Sequence, residues 1–293
     1  MYEDFYGFRE KPFSLLPDPA FLFLARQHST ALAVLEYGLI NQAGFTVVTG
    51  EVGCGKTTLV RHLLNTLGRD ITVGLLSNTQ GGELLQWVLL AFGLDYRGKK
   101  KVALYETFLK FIIGEYAKNR RTVLFIDEAQ NLGAEALEEL RMLSNVNADK
   151  DQVLQLILVG QPELRAILSR PAMIQFAQRV AVDYFLGPLE REQIGDYICH
   201  RLEVAGGDPT LFELEACQLI YHHSGGIPRL INLLCDTALV YGYAAGKQKI
   251  DMELVREVVQ DKVGSPLFAS VRKLSASPSK DDWEHAIVER RLP

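Results

Sequence analysis

Long apolar runs, paired cysteines and an excess of positive charge are all missing from this sequence. No stretch approaches the ~18 uninterrupted apolar residues that a membrane-spanning helix needs. The opening MYEDFYGFREKPF carries acidic residues where a signal peptide has an apolar core. The four cysteines lack both CxxC and Cys/His zinc spacing: Cys54, Cys199, Cys217 and Cys235. We therefore expect reduced thiols and a chain that neither crosses nor spans a membrane.

The charge balance argues against a dedicated nucleic-acid binder. The chain has 31 Lys and Arg against 36 Asp and Glu, a formal net charge of -5, whereas such binders carry a clustered basic surface. The basic run Arg97, Lys99, Lys100 and Lys101 is interpreted as a solvated loop. Nucleic acid is thus a disfavoured partner, although a local basic patch stays open.

A length of 293 residues with 48% hydrophobic residues predicts one large domain and a smaller companion. Short apolar runs separated by helical patterns indicate parallel strands covered on both faces. Five such runs are present: FTVVTG (45–50), ITVGLLS (71–77), TVLFID (122–127), LQLILVG (154–160) and AVDYFL (181–186). The fold class is therefore predicted to be an α/β sandwich around a parallel sheet.

After Pro188 the pattern becomes helical, and glycine pairs separate the segments. Helices are predicted over 191–205, 212–223, 228–245 and 252–262, which form a small all-helical lid domain. The predicted domains are an aromatic-rich amino-terminal arm (1–42), the sheet domain (43–187), the lid (188–263) and a linker with a polar tail (264–293). The spacing of Trp283, Ala286, Ile287 and Arg290 predicts a short tail helix that docks on protein, with a disordered tail as the alternative.

The segment GEVGCGKT (50–57) matches the phosphate-loop pattern GxxxxGK followed by Ser or Thr, directly after a predicted strand and before a helix. Glycines let backbone N–H groups curl around a phosphate at a helix amino terminus. Lys56 is predicted to reach the β- and γ-phosphates of ATP, and the Thr57 hydroxyl to ligate Mg²⁺. The predicted nucleotide-binding residues are Gly50, Glu51, Val52, Gly53, Cys54, Gly55, Lys56, Thr57 and Thr58. Cys54 is interpreted as a small packing residue.

Two adjacent carboxylates, Asp127 and Glu128, follow the third apolar run. Ligands collect at the carboxyl ends of parallel strands, and burying two carboxylates there without a polar partner would be costly. Asp127 is predicted to hold Mg²⁺ through water, and Glu128 to polarise the attacking water. The aromatic arm is predicted to pack on the core and help wall this nucleotide pocket, with a partner-docking surface as the alternative.

With these motifs the sequence resembles the AAA+ ATPases. In that family the strand before Gln161 lies between the strands that carry the phosphate loop and the carboxylates. The resemblance implies that Gln161 is a sensor for the γ-phosphate or water; the alternative is an ordinary loop residue. In GGIPRLIN it implies that Arg229 reaches the γ-phosphate from the lid; the alternative is a cap on a surface helix.

The family also uses an arginine finger, which projects into the ATP site of a neighbouring subunit. Arg179 lies just before the fifth predicted strand, as the finger does. Arg170 is the competing candidate, and a third possibility is that neither residue has this role.

A closer resemblance extends from Met1 to about Lys262. The segments MYEDFYGFREKPFSLLPDPAFLFL, IDEAQNL, LILVGQPEL and GGIPRLIN, together with His28, are similar to general secretion pathway ATPases of the ExeA/GspA type. That family implies a ring or a nucleotide-dependent oligomer, envelope secretion or export proteins as partners, and a cytoplasmic location, peripheral at the inner membrane through a protein partner. Full-length members continue into a transmembrane helix and a peptidoglycan-binding domain, so this sequence resembles the shorter relatives of polysaccharide-export and protein-sorting loci.

The motifs predict ATP hydrolysis, and the resemblance implies that hydrolysis drives or regulates assembly of a bacterial envelope secretion or export system. Two alternatives remain. A DNA-associated ATPase of the transposition-helper type has similar motifs, including the DEAQ at 127–130. A nucleotide-gated interaction switch with low turnover would have identical motifs, and only steady-state hydrolysis distinguishes it.

Overall fold

The computed structural model describes residues 1–77, 83–148 and 151–263. The predicted tail, 264–293, lies outside the described residues, so its helical spacing stays a prediction. Across the described part of the chain, no helix combines the length and the apolar character needed to cross a membrane.

The chain forms two compact units, neither of which is one continuous stretch. The first, here called the sheet unit, comprises Pro17–Gly50 and Gly55–Gly187. The second, here called the helical unit, comprises Met1–Leu16, Glu51–Cys54 and, within the described residues, 188–263. The predicted arm and the phosphate loop are therefore each divided between the two units.

The sheet unit is built on five parallel strands in the order β2-β3-β4-β1-β5. These strands are β1 (Phe45–Gly50), β2 (Ile71–Ser77), β3 (Arg121–Asp127), β4 (Leu154–Gly160) and β5 (Val180–Leu186). Because the strands are parallel, the carboxyl ends of β1, β3 and β4 meet at one edge of the sheet. The order confirms the predicted α/β class and places β4 between β1 and β3, as the AAA+ resemblance implied.

The central strands β1, β3 and β4 are buried at nearly every position, as their apolar sequences predict. The edge strand β5 differs, because alternate residues are exposed. The hydroxyl of Tyr184 donates to the carbonyl of Gln27 at 3.0 Å, so the Tyr184 face of β5 is covered. Asp183 and Phe185 point to the other face and are exposed. The prediction that all five strands are covered on both faces was therefore wrong for β5, and also for the edge strand β2, in which Leu75 is exposed.

In the described part of the sheet unit, seven helices pack around the sheet: α1 (Arg26–Ile40), α2 (Lys56–Thr66), α3 (Leu84–Ala91), α4 (Lys101–Ala117), α5 (Gly133–Leu143), α6 (Pro162–Leu168) and α7 (Ile174–Ala177). The apolar faces of α3 to α7 pack with residues of β1 to β4 in one buried cluster, which does not include α1 or α2. Phe45 of β1 and Phe176 of α7 pack with ring centroids 4.4 Å apart, and Phe108 of α4 is fully buried in the same cluster. Burial of this apolar surface is the main force that holds the unit together.

Up to residue 263, where the described chain ends, the helical unit contains four longer helices: α8 (Ile194–Val204), α9 (Leu214–Ser224), α10 (Pro228–Ala244) and α11 (Met252–Val263). They fall close to the helices expected from the sequence. Gly225, at φ 59°, caps α9 in the left-handed conformation, which glycine adopts at little cost. Pro228 then begins α10 at its first position, where the missing proline N–H costs nothing.

The aromatic residues of the arm up to Leu16 pack within the helical unit. The ring of Phe5 meets Tyr243 edge to face at 5.5 Å, and the fully buried ring of Phe13 meets Phe212 at 5.8 Å. Such pairs add about 0.5–1.5 kcal/mol beyond their buried area. The first part of the predicted arm is thus an integral layer of the helical unit.

A buried arginine fixes this layer. Arg201 on α8 donates from Nε to the carbonyl of Pro12 at 2.5 Å and from Nη2 to the carbonyl of Ser14 at 3.4 Å. Its Nη1 donates to the hydroxyl of Tyr197 at 3.1 Å. Burial raises the pKa of Tyr197, which keeps that hydroxyl protonated, and it donates to Asn232 Oδ1 at 2.7 Å. Arg201 therefore donates to two carbonyls of the arm, and its hydrogen bond to Pro12 is buried.

Replacing Arg201 by methionine keeps an unbranched apolar stem and removes the donors of the guanidinium. We expect the free energy of unfolding to fall by about 1–3 kcal/mol, because the buried hydrogen bond to the Pro12 carbonyl is lost. Urea unfolding followed by circular dichroism measures this change. Arg256→Met, at an exposed position of α11, is the matched control and should change stability by less than about 0.5 kcal/mol. Equal urea midpoints for the two variants would contradict the assigned role.

Candidate functional site

The phosphate loop leads from the end of β1 into α2, as the sequence motif predicts. Gly53 and Gly55 have φ values of 84° and 93°, a left-handed conformation that side chains other than glycine rarely adopt. Gly55 is the amino-terminal cap of α2, where unpaired backbone N–H groups favour an anion. The turn closes with the Cys54 N–H donating to the carbonyl of Glu51 at 3.2 Å. The backbone conformation therefore agrees with the phosphate loop that the sequence motif predicts.

Lys56, the first residue of α2, is buried, with 6% of its surface exposed. Its Nζ donates to the carbonyl of Gly50 at 2.7 Å. A buried ammonium is costly unless polar groups surround it, and a bound phosphate would add negatively charged acceptors. The lysine thus lies at the loop with its charge held at the start of the helix. Thr58 follows in the first turn of α2 and is half-buried.

Two oxygen-bearing side chains meet beside the loop. The Thr57 hydroxyl donates to Asp127 Oδ2 at 2.8 Å, and the Glu128 N–H donates to Asp127 Oδ1 at 2.9 Å. Hydroxyl and carboxylate oxygens are ligands that Mg²⁺ prefers. Among the described residues, no three or more His, Cys, Asp and Glu side chains cluster as a metal site. The pair therefore fits an ion that takes its other ligands from phosphate and water.

Glu128 adopts a left-handed conformation, with φ 54° and ψ 39°. For a residue with a side chain, this conformation costs roughly 1–2 kcal/mol and persists where neighbouring contacts hold it. A short 3₁₀ turn, Ala129–Leu132, follows immediately, and the Asn131 N–H donates to the Glu128 carbonyl at 2.9 Å. The chain thus reverses sharply after β3 and brings Gln130 back toward Glu128.

Glu128 Oε2 accepts two amide hydrogen bonds, from Gln130 Nε2 at 2.5 Å and from Gln161 Nε2 at 2.9 Å. The Gln161 N–H in turn donates to Gln130 Oε1 at 3.0 Å. Three side chains from the ends of two neighbouring strands therefore form one closed cluster. Gln161 lies where the AAA+ resemblance implied, whereas the sequence assigned no role to Gln130. Its only signal was its place two residues after Glu128.

The two arginine finger candidates have different surroundings. Arg179 is half-buried, and its Nη1 donates to Ser144 Oγ at 2.9 Å and to the carbonyl of Arg141 at 3.4 Å. Arg170 is exposed and precedes the 3₁₀ turn Pro171–Met173. These contacts do not bring Arg179 to the predicted site residues of its own chain. A role in a neighbouring subunit stays a prediction.

Arg229 is exposed in the first turn of α10. Its backbone N–H donates to the carbonyl of Gly53 at 3.2 Å. A Cβ atom at Gly53 would lie only 2.6 Å from the Cβ of Arg229, so this approach requires glycine in the loop. Within the helical unit, the arginine predicted to sense the nucleotide is therefore in contact with a residue of the phosphate loop.

Known proteins resemble this chain in sequence and in fold. Residues 40–168 match the family described as AAA domain. General secretion pathway protein A of Aeromonas hydrophila is 40% identical over 253 residues, which are 85% of this chain and 46% of that protein. The chain therefore spans about half the length of this curated relative.

Solved structures share the fold at lower identity. The Aeropyrum pernix ORC2 protein matches with a TM-score of 0.66 at 19% identity, over 87% of this chain and 72% of its own. A Walker-type ATPase of Pyrococcus abyssi matches with a TM-score of 0.60 at 17% identity, over 89% of this chain and 80% of its own. The Thermotoga maritima RuvB branch migration motor matches with a TM-score of 0.52 at 19% identity, over 81% of this chain and 69% of its own.

Sequence identities of 17% to 19% show a shared fold alone. The evolutionary relationship is shown by the relative at 40% identity and by the matched family. The phosphate loop, the carboxylates after β3 and the strand order agree with both. The chain belongs to the AAA+ P-loop proteins and is a relative of general secretion pathway protein A.

Proposed function

We propose that this chain binds ATP with Mg²⁺ at the loop Gly50–Thr57 and hydrolyses it. The observation that carries the proposal is the cluster at the carboxyl edge of the sheet, where Thr57 meets Asp127 and Glu128 meets Gln161. One pair supplies oxygen ligands, and the other supplies a carboxylate held by an amide. Together they provide the two parts that phosphoryl transfer to water needs, which are charge neutralisation and a positioned proton acceptor.

In the proposed mechanism, the loop N–H groups and Lys56 hold the β- and γ-phosphates in line with a water molecule. Thr57, and Asp127 through water, would hold Mg²⁺, and the ion would supply neutralisation of charge on the phosphates. The Glu128 carboxylate accepts a proton from the water as it attacks the γ-phosphorus. Gln161 orients this carboxylate through its amide. ADP and inorganic phosphate are the products.

Arg229 is proposed to sense the bound nucleotide. Its support is the hydrogen bond between the Arg229 N–H and the Gly53 carbonyl, which ties the start of α10 to the phosphate loop. A change in the loop on nucleotide binding would therefore shift the first turn of α10. This is the type of local change that AAA+ proteins convert into larger movements.

The cellular process is proposed from the relative at 40% identity. We infer that ATP turnover drives or regulates assembly of an envelope secretion or export system, with its protein components as partners. Replacing the chromosomal gene by a Glu128→Gln allele tests this inference. Blocked export with normal levels of the variant protein supports it, and unchanged export in every system assayed would overturn it.

Steady-state release of phosphate from Mg-ATP distinguishes hydrolysis from a nucleotide-gated switch. Turnover that stops when EDTA removes the metal supports the proposed enzyme. Tight ATP binding without turnover, in the presence of candidate partners, would favour the switch. Gel-shift titrations of duplex DNA across a range of salt concentrations test the transposition-helper alternative, because phosphate contacts weaken steeply with salt.

The finger proposal predicts complementation between two inactive variants. Arg179→Ala should keep ATP affinity and lose turnover by about 10³-fold or more, because the guanidinium acts on a neighbour's site. Mixing with Lys56→Ala subunits should restore part of the turnover, since those subunits supply Arg179 to intact sites. Phosphate release from mixed oligomers measures this effect.

Arg170→Ala is the matched control for the competing candidate and should retain turnover. No recovery, although mass photometry shows mixed oligomers, would remove the assignment of Arg179 as a residue acting in trans. Loss of turnover in Arg170→Ala with recovery on mixing would transfer the role to Arg170.

A further inference from the structure

We propose that Gln130 is a positioning residue for Glu128, a role that rests on the proposed hydrolysis. Gln130 holds Glu128 Oε2 by a 2.5 Å hydrogen bond. With Oε2 engaged by two amides, Oε1 is the oxygen that takes the proton of the attacking water. Gln130 thereby determines which oxygen of the general base is used.

Hydrogen-bond chemistry fixes the orientation of the Gln130 amide. The Gln161 N–H can only donate, so the Gln130 atom 3.0 Å away must be Oε1. The Glu128 carboxylate can only accept, so the Gln130 atom that meets it must be Nε2. Turning the amide over would break both bonds. The bridge therefore has one stable arrangement, which suits a group that must hold another in place.

The surrounding backbone is built around this bridge. A Cβ atom at Gly160 would lie 2.8 Å from Gln130 Oε1 and 3.0 Å from Leu164 Cδ2, so the close approach of Gln130 to β4 depends on glycine. Gln130 also lies on the 3₁₀ turn that follows the left-handed Glu128. Its side chain thus connects the ends of β3 and β4, and it helps to hold the conformation that Glu128 adopts at a cost.

This role has a distinct kinetic signature. Among the described residues, the side-chain partners of Gln130 are Glu128 and the Gln161 backbone, and none belongs to the phosphate loop. Loss of Gln130 should therefore lower kcat and leave nucleotide affinity unchanged. Misplacing a catalytic group by about 1 Å costs on the order of 10²-fold. Because Gln161 still holds Glu128 on one side, we expect a decrease of about 10- to 100-fold.

The test compares Gln130→Ala and Gln130→Glu with the wild type. Gln130→Ala should lower kcat by about 10- to 100-fold, with the affinity for a fluorescent ATP analogue and the circular dichroism spectrum of the folded protein unchanged. Gln130→Glu keeps the shape, but its ionised carboxylate cannot donate. Its activity relative to wild type should rise as the pH falls, because the protonated acid donates to Glu128 again. Gln218→Ala, exposed on α9, is the matched control.

Three results would overturn the proposal. A kcat of Gln130→Ala within threefold of wild type would mean that Glu128 is placed without it, and a raised kcat would mean that the contact restrains Glu128. If the activity of Gln130→Glu relative to wild type did not change with pH, Gln130 would act only through packing. Failure of the proposed hydrolysis is recognised separately, because wild type and Glu128→Gln would then release phosphate equally slowly, and the Gln130 proposal would fall with it.

Discussion

Replacing Lys56 by alanine is expected to abolish ATP binding. The ammonium is buried at the start of α2 beside the Gly50 carbonyl, and in the proposed site it would supply charge to two phosphates. Each hydrogen bond to a charged group is worth about 1.5–3 kcal/mol. Losing the contacts to both phosphates should raise the Kd by at least about 100-fold. Isothermal titration calorimetry with a non-hydrolysable ATP analogue measures this change.

Lys110→Ala is the control for Lys56→Ala, because this lysine is exposed on α4 with 75% of its side chain in solvent. It should bind as tightly as wild type. Unchanged affinity in Lys56→Ala would remove the assignment of the phosphate loop. Weakened binding in both variants would indicate a general electrostatic effect instead of a specific contact.

Replacing Glu128 by glutamine is expected to separate binding from turnover. The amide keeps the size of the side chain but cannot accept the proton of the attacking water. General-base contributions are on the order of 10²- to 10⁴-fold, so phosphate release should fall by that factor while ATP affinity remains. Single-turnover hydrolysis of labelled ATP measures the chemical step directly. A loss of less than threefold would argue against Glu128 as the base.

The strands were predicted well because their apolar residues favour both an extended backbone and burial in the core. The central strands are apolar at nearly every position and bounded by turn signals, so burial on both faces follows from composition. The proximity of Thr57 and Asp127 could also be predicted from the sequence, since two motifs at the ends of parallel strands meet at one edge of the sheet. These features depend on patterns that lie within short segments.

Contacts between segments that are distant in the sequence were harder to predict. Nothing in residue propensities indicates that Glu128, which is not glycine, adopts φ 54°, and without that turn the role of Gln130 has no basis. The approach of Arg229 to Gly53 and the bonds of Arg201 to the arm likewise depend on packing between remote parts of the chain. Such contacts follow from tertiary structure, which local patterns do not encode.

The contact between Arg201 and Pro12 has a consequence for biosynthesis. The two residues are 189 positions apart in the sequence, and a ribosome adds about 5–20 residues per second. The arm is therefore made roughly 10–40 s before its partner on α8 is available. During that interval Phe5 and Phe13 lack the surfaces that bury them in the finished protein. The arm is thus a segment on which a ribosome-associated chaperone would have time to act, and on which nascent chains would have time to aggregate.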